Sequence, residues 1–272
     1  MKLKKTSTAL AAVLIGAAVF TTSALADVVV GSGYNSLKTA VKATTRELSG
    51  NADSFTAKID MTLKLDGQPL EQVSDVTRID NQNRARETEN TYTRGGNPQE
   101  GYYSYSDDTQ YINKSDGDDT YYVTKRSVPQ GSSDDGRMIA DPFDSEMAKD
   151  AEKVLDAFVG GLKDIVQVEE SEGKKQYIGN LTETQVSPVV NAVSSFMMKY
   201  GILESYDLQE LGLPAITSDI YVKEASGKAI ENESGILESA IGTASVVGND
   251  ETGTEHTITL ELALEISDVN AT

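Results

Sequence analysis

Between Ser54 and Leu65 apolar and polar residues alternate without a break. Phe55, Ala57, Ile59, Met61, Leu63 and Leu65 share one face, and Ser54, Thr56, Lys58, Asp60, Thr62 and Lys64 share the other. A period of two is the signature of a strand with one buried face. At about 3.3 Å per residue this strand reaches about 40 Å, roughly twice the usual length. Ile258, Leu260, Leu262, Leu264 and Ile266 repeat the pattern near the C-terminus. A chain with such strands must build a broad sheet and then cover its apolar side.

The remaining elements follow in order. A helix is expected over Tyr34–Gly50, with Leu37, Val41, Thr44 and Leu48 on one stripe. Asp66-Gly67 is a hairpin turn. Strands are expected at about Glu71–Asp80, with a bulge, and at Arg84–Tyr92, Gln99–Ser106, Thr109–Asn113 and Thr120–Lys125. A loop rich in Gly, Ser and Asp, Val128–Asp141, precedes a helix from Asp144 to about Val166. A small hairpin turns at Glu172-Gly173. Thr182-Glu183-Thr184-Gln185 has capping-box spacing, and Pro188 suits the first position of a following helix whose buried face includes Phe196 and Met197. Three closing strands are expected at Ser218–Ala225, about Ala229–Val247 and Thr254–Asp268, with turns at Ser226-Gly227 and Gly248–Gly253. No linker divides these elements, which implies one domain of α+β class spanning 27–272.

Residues 1–26 read as a signal peptide. Lys2, Lys4 and Lys5 form a basic start, Ala9–Phe20 an apolar stretch too short to span a bilayer, and Ala24-Leu25-Ala26 a cleavage site before Asp27. This implies an extracytoplasmic or secreted protein with no transmembrane segment after cleavage. The chain carries a formal charge of −19, and losing those lysines makes it more acidic still. Such a surface repels phosphate backbones, so nucleic acid is excluded as a partner. With no cysteine, disulfides, thiolate metal sites and a cysteine nucleophile are excluded too.

Catalytic constellations are missing. His256 is the sole histidine, no G-x-S-x-G elbow accompanies it, and its place beside Glu255 at a strand entrance reads as a rim position. One histidine without thiolates makes a poor zinc site. Asp116-Gly117-Asp118-Asp119 lacks the spaced ligands of an EF-hand and reads as a solvated turn. No cofactor is implied, and the chain reads as a non-enzyme. Tyrosines crowd between Tyr92 and Tyr122, with Tyr103 and Tyr105 on one strand face. They serve either cross-strand pairing or the mouth of an amphiphile cavity.

The element order, together with Leu37–Leu48 before the first strand, the step Tyr177-Ile178-Gly179-Asn180-Leu181-Thr182 and the terminal hairpin Gly248–Glu265, resembles the LolA/LppX/RseB-type fold of bacterial lipoprotein carriers. The resemblance implies a long-stranded antiparallel curved sheet, an open half-barrel, with helices covering its concave face. It also implies a hydrophobic or amphiphilic ligand, such as a lipid, acyl chain or lipidated peptide. The alternative is an RseB-like module that contacts an envelope protein and holds no lipid. In such a half-barrel Ile59, Met61, Leu63, Leu260, Leu262 and Leu264 face a common interior, with Tyr103 and Tyr105 near its mouth and Phe196 and Met197 closing it. The same residues equally suit an ordinary packed core.

Overall fold

A computed structural model describes residues 32–115, 120–126, 166–186, 188, 191, 195, 214 and 216–271. The candidate signal peptide, the loop 128–141, all but the last residue of the helix expected from Asp144 to about Val166, and the residues Phe196 and Met197 lie outside them.

The described strands form one antiparallel sheet of eleven, in the order β6-β5-β4-β3-β2-β1-β11-β10-β9-β8-β7. The N-terminal meander comprises β1 (Ser54–Leu65), β2 (Gln68–Asp80), β3 (Ala85–Arg94), β4 (Asn97–Ser106), β5 (Gln110–Ser115) and β6 (Tyr122–Lys125). The C-terminal one comprises β7 (Gln167–Ser171), β8 (Lys174–Thr182), β9 (Ile216–Glu231), β10 (Leu237–Asp250) and β11 (Glu255–Ser267). The two alternating strands read from the sequence, β1 and β11, are the seam that joins them. Ile59 pairs with Leu264, Met61 with Leu262 and Leu63 with Leu260. The sheet is long-stranded and open, with β6 and β7 at its edges.

Helix α1 (Ser32–Arg46) lies on the apolar face and runs into a π-helical turn, Glu47–Asn51. Leu37 and Ala40 pack on Tyr177, Ala229 and Leu237. Leu48 and Ala52 pack on Phe55, Ala57, Ile59, Leu264 and Ile266. Gly33 permits the approach, since a Cβ there would collide with the Val166 carbonyl. Two hydrogen-bonded contacts fix the helix. Buried Thr44 accepts the Leu237 N–H at 2.8 Å while donating to Ala40 O at 2.7 Å. Ser36 meets the Tyr177 hydroxyl at 3.2 Å. Asn81 Nδ2 donates to the Ala52 carbonyl at 2.7 Å and ties down the π turn. A further cluster, Leu63, Leu65, Leu70, Ile216, Ile220 and Ile258, closes the other end of the face.

The Asp66-Gly67 and Glu172-Gly173 turns form as expected, each with two positive φ angles that match a type I′ hairpin. The capping box also forms around a single 3₁₀ turn, Glu183–Gln185, and Pro188, Asn191 and Ser195 are α-helical. Asn191 Oδ1 accepts the Val222 N–H at 2.8 Å, beside a register shift between β9 and β10. The expected turn at Ser226-Gly227 does not form. Both residues lie inside the 16-residue strand β9, with Gly227 paired to Gly179 on one side and Gly242 on the other. The chain turns instead at 232–236, where Asn232 Oδ1 accepts the N–H groups of Ser234 and Ile236, each at 3.0 Å, and Gly235 takes φ +80. The Asn232 side-chain acceptor reproduces the turn's hydrogen bonds, a role the Ser226 hydroxyl would fill more weakly.

Candidate functional site

The pairing register sets three parallel rows across the apolar face. The first runs Tyr177, Ala229, Ala240, Leu264, Ile59. The second runs Gly179, Gly227, Gly242, Leu262, Met61, Val73, Tyr92. The third runs Leu181, Ala225, Ala244, Leu260, Leu63, Glu71, Arg94. Six of the expected cavity residues thus meet as three adjacent pairs at the seam. Ile59, Leu63 and Leu264 are buried; Met61, Leu260 and Leu262 are only half-buried. Gly179, which is buried, and the half-buried Gly227 and Gly242 stand in line with Leu262, and alanines flank them on both sides. The middle row is therefore a shallow trough, less buried than the rows on either side of it. Between α1 and this trough lies a narrow crevice lined by Leu37, Val166, Tyr177, Gly179 and Ala229.

Tyr103 and Tyr105 do not join it. Register places Tyr103 with Glu89 and Val76, and Tyr105 with Glu87 and Arg78, in line with Lys58 and Thr56. They stand on the hydrophilic face, where Tyr103 packs edge-on to Tyr121 at 6.2 Å. In the sequence nothing links the phase of β4 to that of β1, because β3 is polar on both sides. Of the tyrosines in this stretch, Tyr92, Tyr102, Tyr111 and Tyr122 fall on the apolar face by register.

Toward β2 and β3 the trough turns polar, a feature the sequence reading missed. Glu71 is 7% exposed. The Tyr92 hydroxyl donates to its carboxylate, and burial first, then this bond, pushes the tyrosine pKa up to about 12. At the opposite end, buried Tyr177 donates to Glu231, whose Oε1 also pairs with Lys175 Nζ at 2.9 Å. Burial, followed by the Glu231 bond, raises the Tyr177 pKa strongly.

The hydrophilic face carries two adjoining open grooves of about 490 and 530 Å³ that share Asp60, Ile241 and Ala263. Ile241 is 53% exposed at their junction. Several groove charges are paired within the sheet, Lys58 with Asp60 at 2.9 Å and Lys64 with Glu261 at 2.5 Å. His256 is far from a catalytic arrangement: both ring nitrogens face carboxylates, of Asp66 and Asp250. No group of three His, Asp or Glu among the described residues could hold a metal ion. No described helix is long and apolar enough to cross a membrane.

No family model and no curated protein matches the sequence. Among solved structures, several show a distant similarity to the chain. A LolA superfamily protein of Nitrosomonas europaea is 8% identical, with 84% of this chain and 92% of that one covered at a TM-score of 0.21. A DUF1329 family protein of Desulfovibrio piger is 10% identical over 87% and 91%, at 0.20. A beta-barrel-like DUF1849 protein of Brucella abortus is 10% identical over 79% and 98%, at 0.21. TM-scores this low add no weight to the architecture, which rests on strand order and register.

Proposed function

We propose that this chain is an exported, non-enzymatic binding protein that shelters the apolar part of a lipid, acyl chain or lipidated peptide along the Met61–Leu262 trough. The supporting observation is the gap in coverage. Met61 and Leu262 stay half-buried between rows that are mostly buried, and the glycines in line with them carry no side chains to fill the space. A packed core leaves no such strip. Residues 27–272 act as one domain, and the leader 1–26 directs the chain out of the cytoplasm. The acidic surface keeps it soluble there.

The test is a thermal-shift series with palmitate and lysolipids. A ligand that binds only the native state raises the melting temperature. Met61→Asp removes that rise, because an unpaired carboxylate is disfavoured in an apolar site. No rise with any of these ligands overturns the reading. A protein-interaction role is the second reading. It is favoured by the edge strand β6 and the residue before it, where Tyr121, Tyr122 and Val123 are more than half exposed.

A further inference from the structure

We propose that Glu71, Arg94 and Tyr92 form the polar end of the trough and take a neutral head group that both donates and accepts a hydrogen bond, such as the hydroxyls of a monoacylglycerol. The inference rests on the lipid-binding reading above and adds the chemistry and orientation of the ligand.

Glu71 sits on β2 directly across from Leu63, and Arg94 on β3 directly across from Glu71. Tyr92 ends the row that begins with the three glycines and passes through Leu262 and Met61. The polar cluster therefore terminates the trough. Glu71 is more than nine-tenths buried, yet its Oε2 has no hydrogen-bond partner, and neither does the buried Nε of Arg94. Buried polar atoms are ordinarily satisfied, so two orphans of opposite sense on paired residues mark a place for a partner. One orphan accepts and the other donates. A hydroxyl answers both; an ester without a donor answers only Arg94. A phosphate or free carboxylate could meet Arg94 but brings a negative charge and no donor to the orphan Glu71 oxygen, so the cluster favours a neutral head that carries a hydroxyl. The head then sits at Glu71 and the chain runs over Val73 and Met61 toward the glycines.

The test compares monopalmitoylglycerol, methyl palmitate and palmitate on the full secreted chain, by displacement of a fluorescent fatty-acid probe. Monopalmitoylglycerol should bind about tenfold more tightly than methyl palmitate, the factor expected for one well-made buried hydrogen bond, and palmitate more weakly than monopalmitoylglycerol. Glu71→Leu should erase the tenfold preference. If that variant does not fold, the nearly isosteric Tyr92→Phe, which frees the carboxylate from its fixed position, should reduce it. Equal binding of all three by the wild-type chain overturns the head-group site, which then holds ordered water only, and leaves the trough standing. Binding of none overturns the trough and the head-group site together.

Discussion

The Nδ1 atom of His256 lies 2.7 Å from the Asp66 carboxylate, which joins the β1–β2 turn to the start of β11. Asp66 also accepts the Thr257 N–H at 2.8 Å, and Asp250 faces Nε2 at 3.5 Å. The ring is a clamp between two hairpin turns, with a side chain only 14% exposed. The bond to Asp66, more than that to Asp250, raises the histidine pKa, and the Asp66 and Asp250 pKa values are lowered, that of Asp250 to about 2. A raised histidine pKa stabilises fully below the unfolded value of about 6.5, and this contribution fades as pH rises through the folded value. The lowered aspartate values stabilise above about 4 and fade as pH falls through their folded values. The clamp should therefore be strongest between about pH 4 and 6.5. His256→Ala should cost about 1–2 kcal/mol at pH 5.5 and distinctly less at pH 9, the usual scale for a hydrogen bond to a charged group. Denaturation of the variant and the parent at the two pH values checks this; an equal loss at both removes the clamp.

The three rows predict unequal truncation costs for side chains of similar size. Leu63→Ala or Ile59→Ala removes a buried side chain and should cost about 2–5 kcal/mol. Leu262→Ala, in the half-covered middle row, should cost under about 1.5 kcal/mol, because less contact is lost and less cavity is made. Urea denaturation of the three variants decides it. A full core penalty at Leu262 would make the middle row ordinary packing.

At the other end of the face, Tyr177→Phe leaves Glu231 buried with Lys175 as its remaining side-chain partner and takes the phenol from Ser36 of α1. The cost should be about 1–3 kcal/mol, the range for stranding a buried polar group. Hydrogen exchange should quicken at the α1 end of the sheet more than in β3 and β4. Uniform change, or none, would mean that the phenol does not anchor α1.

What the sequence made legible was local. The alternation of β1 and β11 and the Asp66-Gly67 and Glu172-Gly173 turns depend on neighbouring residues, and each is found within a residue or two of its expected place. The site was half legible for the same reason. Ile59, Met61 and Leu63 share a face by simple parity, and so do Leu260, Leu262 and Leu264, but only the pairing register sets the two sets against each other. The glycine line crosses three strands, β8, β9 and β10, and no periodicity along the chain reveals it. The phase of Tyr103 and Tyr105 was lost through the polar strand β3. Glu71 gave no signal, since a carboxylate beside a turn reads as solvated until its burial is known.

Gly227 gives the sharpest contrast between chain and fold. A Ser-Gly pair between two β-rich runs has the composition of a turn, yet its pairing on both sides puts it in the interior of the sheet. Two added residues between Ser226 and Gly227 would keep the faces of β9 but throw its pairing two places out of register with both β8 and β10, leaving ladder groups unpaired. The same insertion between Glu233 and Ser234 lengthens a surface turn, where loop-closure cost grows slowly. The first variant should fail to give a cooperative thermal transition. The second should unfold cooperatively with a loss of about 1 kcal/mol, mostly the Asn232 side-chain bonds. Comparable stability of the two variants would mean that β9 is broken near Gly227 and that the middle row does not cross it.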